Sequence, residues 1–121
     1  MSTNDTYLAV FLGSKQSPRW NAWNALPEEE RRAKEREGMG AWKSWMEKHQ
    51  AAVVGMGGPL GKTKKITERG VEDVNNEIGA FMVVRADSHE AAAKLFENHP
   101  HFTIFPGERV EVMPVLPIPG G

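Results

Sequence analysis

The chain of 121 residues contains no cysteine. Disulfide bonds, thiolate nucleophiles and cysteine-ligated zinc sites are therefore excluded together. A chain without cysteine suits a reducing compartment, and we predict a cytoplasmic location. The polar N-terminus, residues 1–6 (MSTNDT), agrees with this because it lacks the basic and apolar regions of a signal peptide.

Excess charge and long apolar runs are also missing. The net charge is -1 and the pI is near 6.4, so no broad positive field attracts phosphate backbones and we predict no nucleic-acid partner. No apolar run approaches the roughly 20 residues that a membrane helix needs, so we predict no membrane partner. The length and even composition predict one domain over residues 1–121.

The chain does contain apolar strands. Strands with no polar face are predicted at residues 7–12 (YLAVFL), 80–84 (AFMVV) and 110–115 (VEVMPV). Side chains alternate across a sheet, so an apolar residue at nearly every step indicates that both faces are covered. A shorter strand is predicted at 51–56, and residues 62–78 are predicted to form a long excursion with a short extended piece at 64–67.

Two helices are predicted between these strands. After turn chemistry at residues 13–18, Pro27 and three glutamates begin a long helix, and Asp87 or Ser88 caps a second helix that Pro100 ends. The order strand, helix, strand, strand, helix, strand predicts an α+β, ferredoxin-like fold. Its four-stranded antiparallel sheet carries both helices on one face.

The other face of that sheet needs cover from elsewhere. A second copy of the chain can provide it, which predicts a homodimer paired sheet to sheet with an enclosed space between the subunits. Three prolines, at positions 114, 117 and 119, predict an extended tail over residues 114–121.

The long helix has an apolar stripe at a 3.6-residue period, formed by Met39, Trp42, Trp45, Met46 and His49. Gly38 and Gly40 interrupt this helix, and each costs about 1 kcal/mol relative to alanine. We therefore expect a kink or a close backbone contact there. The tryptophans of the stripe are either core and interface residues or the wall of a pocket for a flat, apolar small molecule.

Two motifs are weighed against simpler interpretations. Residues 57–63 (GGPLGKT) end like a phosphate-binding loop, but Met56 stands where that motif needs glycine, so we predict a glycine turn instead. His99 and His101 lie two residues apart, with Glu108 and Glu111 as nearby carboxylates, so a metal site could be built from them, although no known ligand-spacing signature is present. Because Pro100 separates the imidazoles, we predict no metal, and we predict that His99 caps the C-terminal end of the second helix.

Four segments carry a family resemblance: residues 55–60 (GMGGPL), residues 79–92 (GAFMVVRADSHEAA), the His99-Pro100 step and residues 110–115. Together they resemble the YCII-related family, including its DGPF-type members, from Tyr7 onward. The resemblance implies ferredoxin-like domains that pair into a dimeric α/β barrel.

Some members of that family are thought to be enzymes with a histidine on the first helix and an aspartate near its end. The matching positions here are about Ala41 and Gln50, and neither side chain can transfer a proton. If chemistry is retained, His49 and His101 are the candidate catalytic residues, because imidazole is an acid or base near neutral pH. The candidate ligand-binding residues are Trp42, Trp45, His99 and Phe105.

Three hypotheses about function follow. The first is a small-molecule-binding dimer that acts as an isomerase or lyase by proton transfer in a cavity near the subunit interface. The second is a non-catalytic ligand-binding or regulatory module, and the third is a structural dimer whose own side chains fill the cavity. No cofactor is predicted, and the sequence indicates neither the ligand nor the reaction.

Overall fold

A computed structural model describes residues 5–119. The strands are β1 (Thr6–Leu12), β2 (Val53–Pro59), β3 (Thr63–Thr67), β4 (Gly70–Val74), β5 (Ile78–Arg85) and β6 (Arg109–Pro114). The helices are α1 (Pro18–Ala25), α2 (Glu28–Lys48), α3 (His89–Lys94) and α4 (Pro100–Thr103). The first four residues of the predicted polar N-terminus and residues 120–121 of the predicted tail lie outside the described residues.

Four strands form one antiparallel sheet in the order β2-β5-β1-β6. β1 lies in the middle, with Ala9 opposite Met82 of β5 on one side and Val112 of β6 on the other. This strand order and the two helical crossovers confirm the predicted ferredoxin-like α+β fold.

The two faces of the sheet have different surroundings. Tyr7, Ala9 and Phe11 alternate onto the face covered by helices, where they are buried with Trp45 of α2 and Phe96. Leu8 and Val10 alternate onto the opposite face, which we call the outer face, and the described chain buries them only in part.

The N-terminal helical region begins earlier than predicted. Residues 18–25 form α1. The sequence predicted a turn at residues 13–18 and no helix before Pro27. Ser17 Oγ accepts a hydrogen bond from the Trp20 N–H at 3.1 Å, and Pro18 occupies the first turn. The expectation of only two helices was therefore wrong.

The predicted second helix is also shorter and differently capped. α3 ends at Lys94, and Asn98 takes a positive φ of 58° that breaks the helical path. Pro100 then begins α4 instead of ending α3, and His99 caps the N-terminus of α4. The prediction of His99 as a C-terminal cap was therefore wrong.

The excursion between β2 and β5 contains a separate two-stranded hairpin of β3 and β4. The extended piece predicted at residues 64–67 corresponds to β3. β2 leads into this excursion, and its Gly57 has a φ of 60°. A Cβ at this position would collide with the carbonyl oxygen of Phe81. Only glycine fits this irregular edge strand.

α2 runs without a break through its two glycines. Gly38 is buried against the ring of Phe105, whereas a Cβ at Gly40 would meet nothing within 4 Å. The predicted close contact is thus confirmed at Gly38.

Candidate functional site

The four predicted ligand-binding residues meet on the helix-covered face. The Trp42 and His99 rings are 4.5 Å apart at 89°, and the Trp45 and His99 rings are 5.0 Å apart. Phe105 contacts Trp42, with ring centroids 6.2 Å apart. The rings pack on one another and on Phe11, and none of the four residues lines either of the two clefts described below. Their contact with a ligand stays a prediction.

His99 is fully buried at the centre of this cluster. Its Nδ1 accepts the His101 backbone N–H at 3.0 Å, and its Nε2 has no hydrogen-bond partner among residues 5–119. Burial, and then the neighbouring His101 and His49, lower the pKa of His99 to about 3. The imidazole is therefore neutral at pH 7. In the structure it caps the N-terminus of α4.

The first catalytic candidate, His101, is tied into the backbone. Its Nε2 lies 2.9 Å from the carbonyl oxygen of Leu12, and its ring packs against Phe11 and directly over Gly107, where a Cβ would collide with it. Burial lowers the pKa of His101, although backbone contacts with Leu12 and Arg109 oppose that effect. These contacts join the loop before β6 to the end of β1.

The second catalytic candidate, His49, lies at the C-terminal end of α2. It is half-buried, and its ring is 4.7 Å from that of Trp45. Burial and then Lys48 lower the pKa of His49, so this imidazole is also mainly neutral at pH 7. Both candidates lie on the helix-covered side, so neither faces a space between two outer faces.

The carboxylates that sequence placed near the histidines have a different partner. Glu108 and Glu111 both pair with Arg109, at 3.5 and 2.8 Å. The Arg109 guanidinium thus engages both carboxylates. Glu108 also accepts a hydrogen bond from the Ser14 N–H at 3.3 Å. The cluster therefore links β6 to the turn after β1.

A cleft of about 640 Å³ opens at one end of the sheet. Its lining comes from three turns, residues 13–16, 60–63 and 75–79, and we call it the end cleft. β1 and β2 end there and β5 begins there, since neighbouring strands are antiparallel. Sequence spacing alone does not bring the three turns together, but the strand order does.

Backbone and side-chain hydrogen bonds hold the three turns. The Gly13 N–H donates to the Glu77 carbonyl at 3.0 Å, and the Leu60 N–H donates to the Gly79 carbonyl at 2.8 Å. Asn76 Nδ2 donates to Thr63 Oγ1 at 3.2 Å, which ties the root of the hairpin to the third turn. The walls of the end cleft are thus preformed.

The end cleft carries charge as well as apolar surface. Lys15 and Lys62 supply two cations, and Glu77 supplies a carboxylate that pairs with Arg109 at 3.3 Å. Leu60 and Ile78 add apolar surface. None of these residues was among the predicted site residues. The segment rejected as a phosphate-binding loop nevertheless places its last four residues, 60–63, in this wall.

A smaller groove of about 370 Å³ lies between α3, α4 and β6. Phe96, Phe102 and Val110 contribute apolar surface, and Glu97 and Arg109 contribute charge. It is the more open of the two and shares Arg109 with the charged cluster described above. We regard the end cleft as the better candidate site because it is larger and richer in polar groups.

The outer face has an apolar centre and a charged margin. Cross-strand partners place Val83 and Met113 beside Leu8, and Phe81 beside Val10. The same alternation places Arg85, Arg109 and Glu111 around them. Within residues 5–119, every helix is too short or too polar to pass through a bilayer.

Neither a family model nor the sequence of a curated protein matches this chain. Among solved structures, the chain is similar to a 5-chloro-2-hydroxyhydroquinone dehydrochlorinase from Burkholderia phenoliruptrix in complex with 2,5-dihydroxybenzoquinone. The sequences are 17% identical, the match covers 88% of this chain and 89% of the other, and the TM-score is 0.50. At this identity the likeness supports the shared fold alone.

Proposed function

We propose that this chain is a small-molecule-binding homodimer, in which two copies pair through the outer face and each binds its ligand in the end cleft. The end cleft is the observation that carries the proposal. Its volume of about 640 Å³ lies within the range of roughly 300–1,000 Å³ that small-molecule sites occupy. Ligand sites combine apolar walls with a few polar groups, and the end cleft has both.

The pairing is argued from the outer face. Leu8, Val10, Phe81 and Val83 form an apolar centre, with charged residues at the margin, which is the usual arrangement of a protein interface. A two-fold axis brings this one patch against its own copy and so covers both at once. The end cleft lies at the end of the same sheet and does not depend on the outer face for its walls.

The experiment is a screen of small fragments, monitored by the backbone amide resonances of the protein. We expect binders to shift amides of residues 13–16, 60–63 and 75–79. The Gly61→Leu variant should lose this binding, because its side chain enters the end cleft without a clash: a Cβ at Gly61 meets nothing within 4 Å.

The matched control is Gly40→Leu. Gly40 is equally open, but it lies on α2, away from the end cleft. Its variant should bind fragments like the original chain. Binding that survives Gly61→Leu unchanged, or that maps to other residues, contradicts the proposal.

A second candidate function is proton transfer, as an isomerase or lyase, with His49 or His101 as the base. The observation that favours it is that burial lowers both pKa values, so both imidazoles are mainly in the proton-accepting form at pH 7. Neither histidine lines the end cleft, so this candidate requires a compound bound beside the histidine itself. His49→Ala or His101→Ala should then abolish conversion of that compound. Binding with no conversion of any bound compound supports the non-catalytic, regulatory alternative instead.

A further inference from the structure

We infer that the end cleft takes a small organic anion, a carboxylate or a phosphate monoester. This inference rests on the proposed function and names the ligand class for the same site.

The lysines of the hairpin differ in their pairing. Lys64 forms an ion pair with Asp73 at 2.5 Å, and Lys65 forms one with Glu72 at 3.0 Å. Lys62, two residues earlier and in the cleft wall, forms no ion pair within residues 5–119. Its ammonium group is the one cation of these three that a ligand can engage without competing with a carboxylate.

Another of the three turns supplies a second cation. Lys15 also forms no ion pair within the described chain, and its Nζ lies 5.9 Å from the ring centroid of Trp20. The contact with Trp20 does not neutralise the charge of Lys15. Two unpaired cations therefore lie on the first and second turns of the cleft.

The lining holds a single carboxylate against two lysines, and that carboxylate shares the Arg109 guanidinium with Glu108 and Glu111. Glu77 is the one acidic residue among the lining residues, and the Arg109 guanidinium lies 3.3 Å from its carboxylate. The cleft thus carries a net positive charge in a chain whose overall charge is -1. A cationic ligand would meet Lys15 and Lys62, whereas an anion would meet both as partners.

Apolar surface in the same cleft favours an organic anion over an inorganic one. Leu60 is 47% exposed and Ile78 is 36% exposed, both in the lining. Covering such surface with hydrocarbon is favourable because it removes apolar area from water. A ligand with one anionic group and a small ring or chain can use both kinds of wall.

The test compares three probes that share one ring: benzoate, phenyl phosphate and neutral benzamide. Each is titrated against the protein while the amide resonances of Gly13, Gly61 and Gly79 are followed. We expect saturable shifts with benzoate or phenyl phosphate. The tighter binder of the two shows whether the cleft prefers a carboxylate or a phosphate monoester. Benzamide should bind about two- to fivefold more weakly, the effect of one exposed charge contact.

Two variants of equal net charge locate the effect. Lys62→Glu should weaken anion binding about fivefold, whereas Lys34→Glu on the exposed side of α2 should leave it unchanged. The charge reversal could also disturb the turn, so Lys62→Gln serves as a milder second variant. It removes the charge without reversing it and should also weaken anion binding.

The outcomes separate the two proposals. Benzamide that binds as well as benzoate, or equal effects of Lys62→Glu and Lys34→Glu, overturns the anion inference. If the cleft amides respond to neutral fragments alone, the anion inference is overturned, whereas the proposal that the end cleft binds a small molecule stands. Cleft amides that respond to no compound in either set overturn both.

Discussion

Gly38 of α2 and Phe105 of the loop before β6 are in direct contact. A Cβ at position 38 would lie 2.5 Å from two carbons of the Phe105 ring, while a Cβ at position 40, two residues along the same helix, would meet nothing within 4 Å. The contact fixes the distance between the long helix and that loop. It also explains why two glycines in one helix have different consequences.

We predict opposite effects of alanine at these two positions. Gly38→Ala should lower the free energy of unfolding by about 1–3 kcal/mol, because the new methyl group overpacks the site. Gly40→Ala should raise it by about 0.5–1 kcal/mol through helix propensity alone. Urea denaturation of both variants measures the difference. Two changes of the same sign would contradict the packing described here.

The buried His99 predicts a loss of stability in mild acid. Its pKa is lowered to about 3 in the folded chain from the usual 6.5, so the unfolded chain binds the proton more readily. The stability from this group is complete above about pH 6.5 and is lost as the pH falls toward 3, by up to about 2 kcal/mol at pH 5. His49 and His101 act in the same direction, since their pKa values are lowered too.

The variant His99→Asn isolates this contribution. Asparagine is a good N-terminal cap but does not titrate. The variant should be less stable at pH 7.5 and lose less stability than the original chain between pH 7.5 and 5. Equal slopes of stability against pH in the two proteins would show that His99 does not carry the effect.

The two catalytic candidates should differ in their structural role. His101→Ala removes the hydrogen bond to Leu12 and the packing over Gly107, and should cost about 2 kcal/mol or more. His49→Ala, at a half-buried helix end, should cost less than about 1 kcal/mol. Thermal and urea unfolding measure both. Equal losses would contradict the anchoring role of His101.

The outer face predicts the assembly. In sedimentation equilibrium at micromolar concentration the original chain should have twice its mass of 13.5 kDa. Val83→Lys places a charge at the apolar centre and should give single chains, because a buried unpaired charge is costly. Met39→Lys, at an exposed apolar position on α2, is the control and should stay dimeric. A single-chain mass for the original protein would refute the pairing.

The strands and the sheet could be predicted because their signal is local. β1 and β5 have apolar residues at nearly every step, and such a pattern is typical of a sheet covered on both sides. α1 was missed because it has no buried residue and so no apolar stripe. α4 was missed because Pro100 ends one helix as readily as it begins another, and only the positive φ of Asn98 decides between the two.

The site was harder to predict than the fold. Trp42, Trp45 and His99 were named as ligand-binding candidates, and their rings do pack together, but their contact with a ligand stays a prediction. The end cleft is made of turns that are far apart in sequence, and each turn alone is ordinary. In an antiparallel sheet, the end of one strand lies beside the start of its neighbour. This rule, applied to the predicted strand order, would have placed Ser14, Lys62 and Glu77 together.

The position of a bound ligand tests the central claim most directly. The measurement is a crystal structure of the chain with the tightest-binding compound from the fragment screen. We predict that the compound lies between residues 13–16, 60–63 and 75–79, with an anionic group near Lys62. Density for it among Trp42, Trp45 and His99, or between two outer faces, would contradict the account.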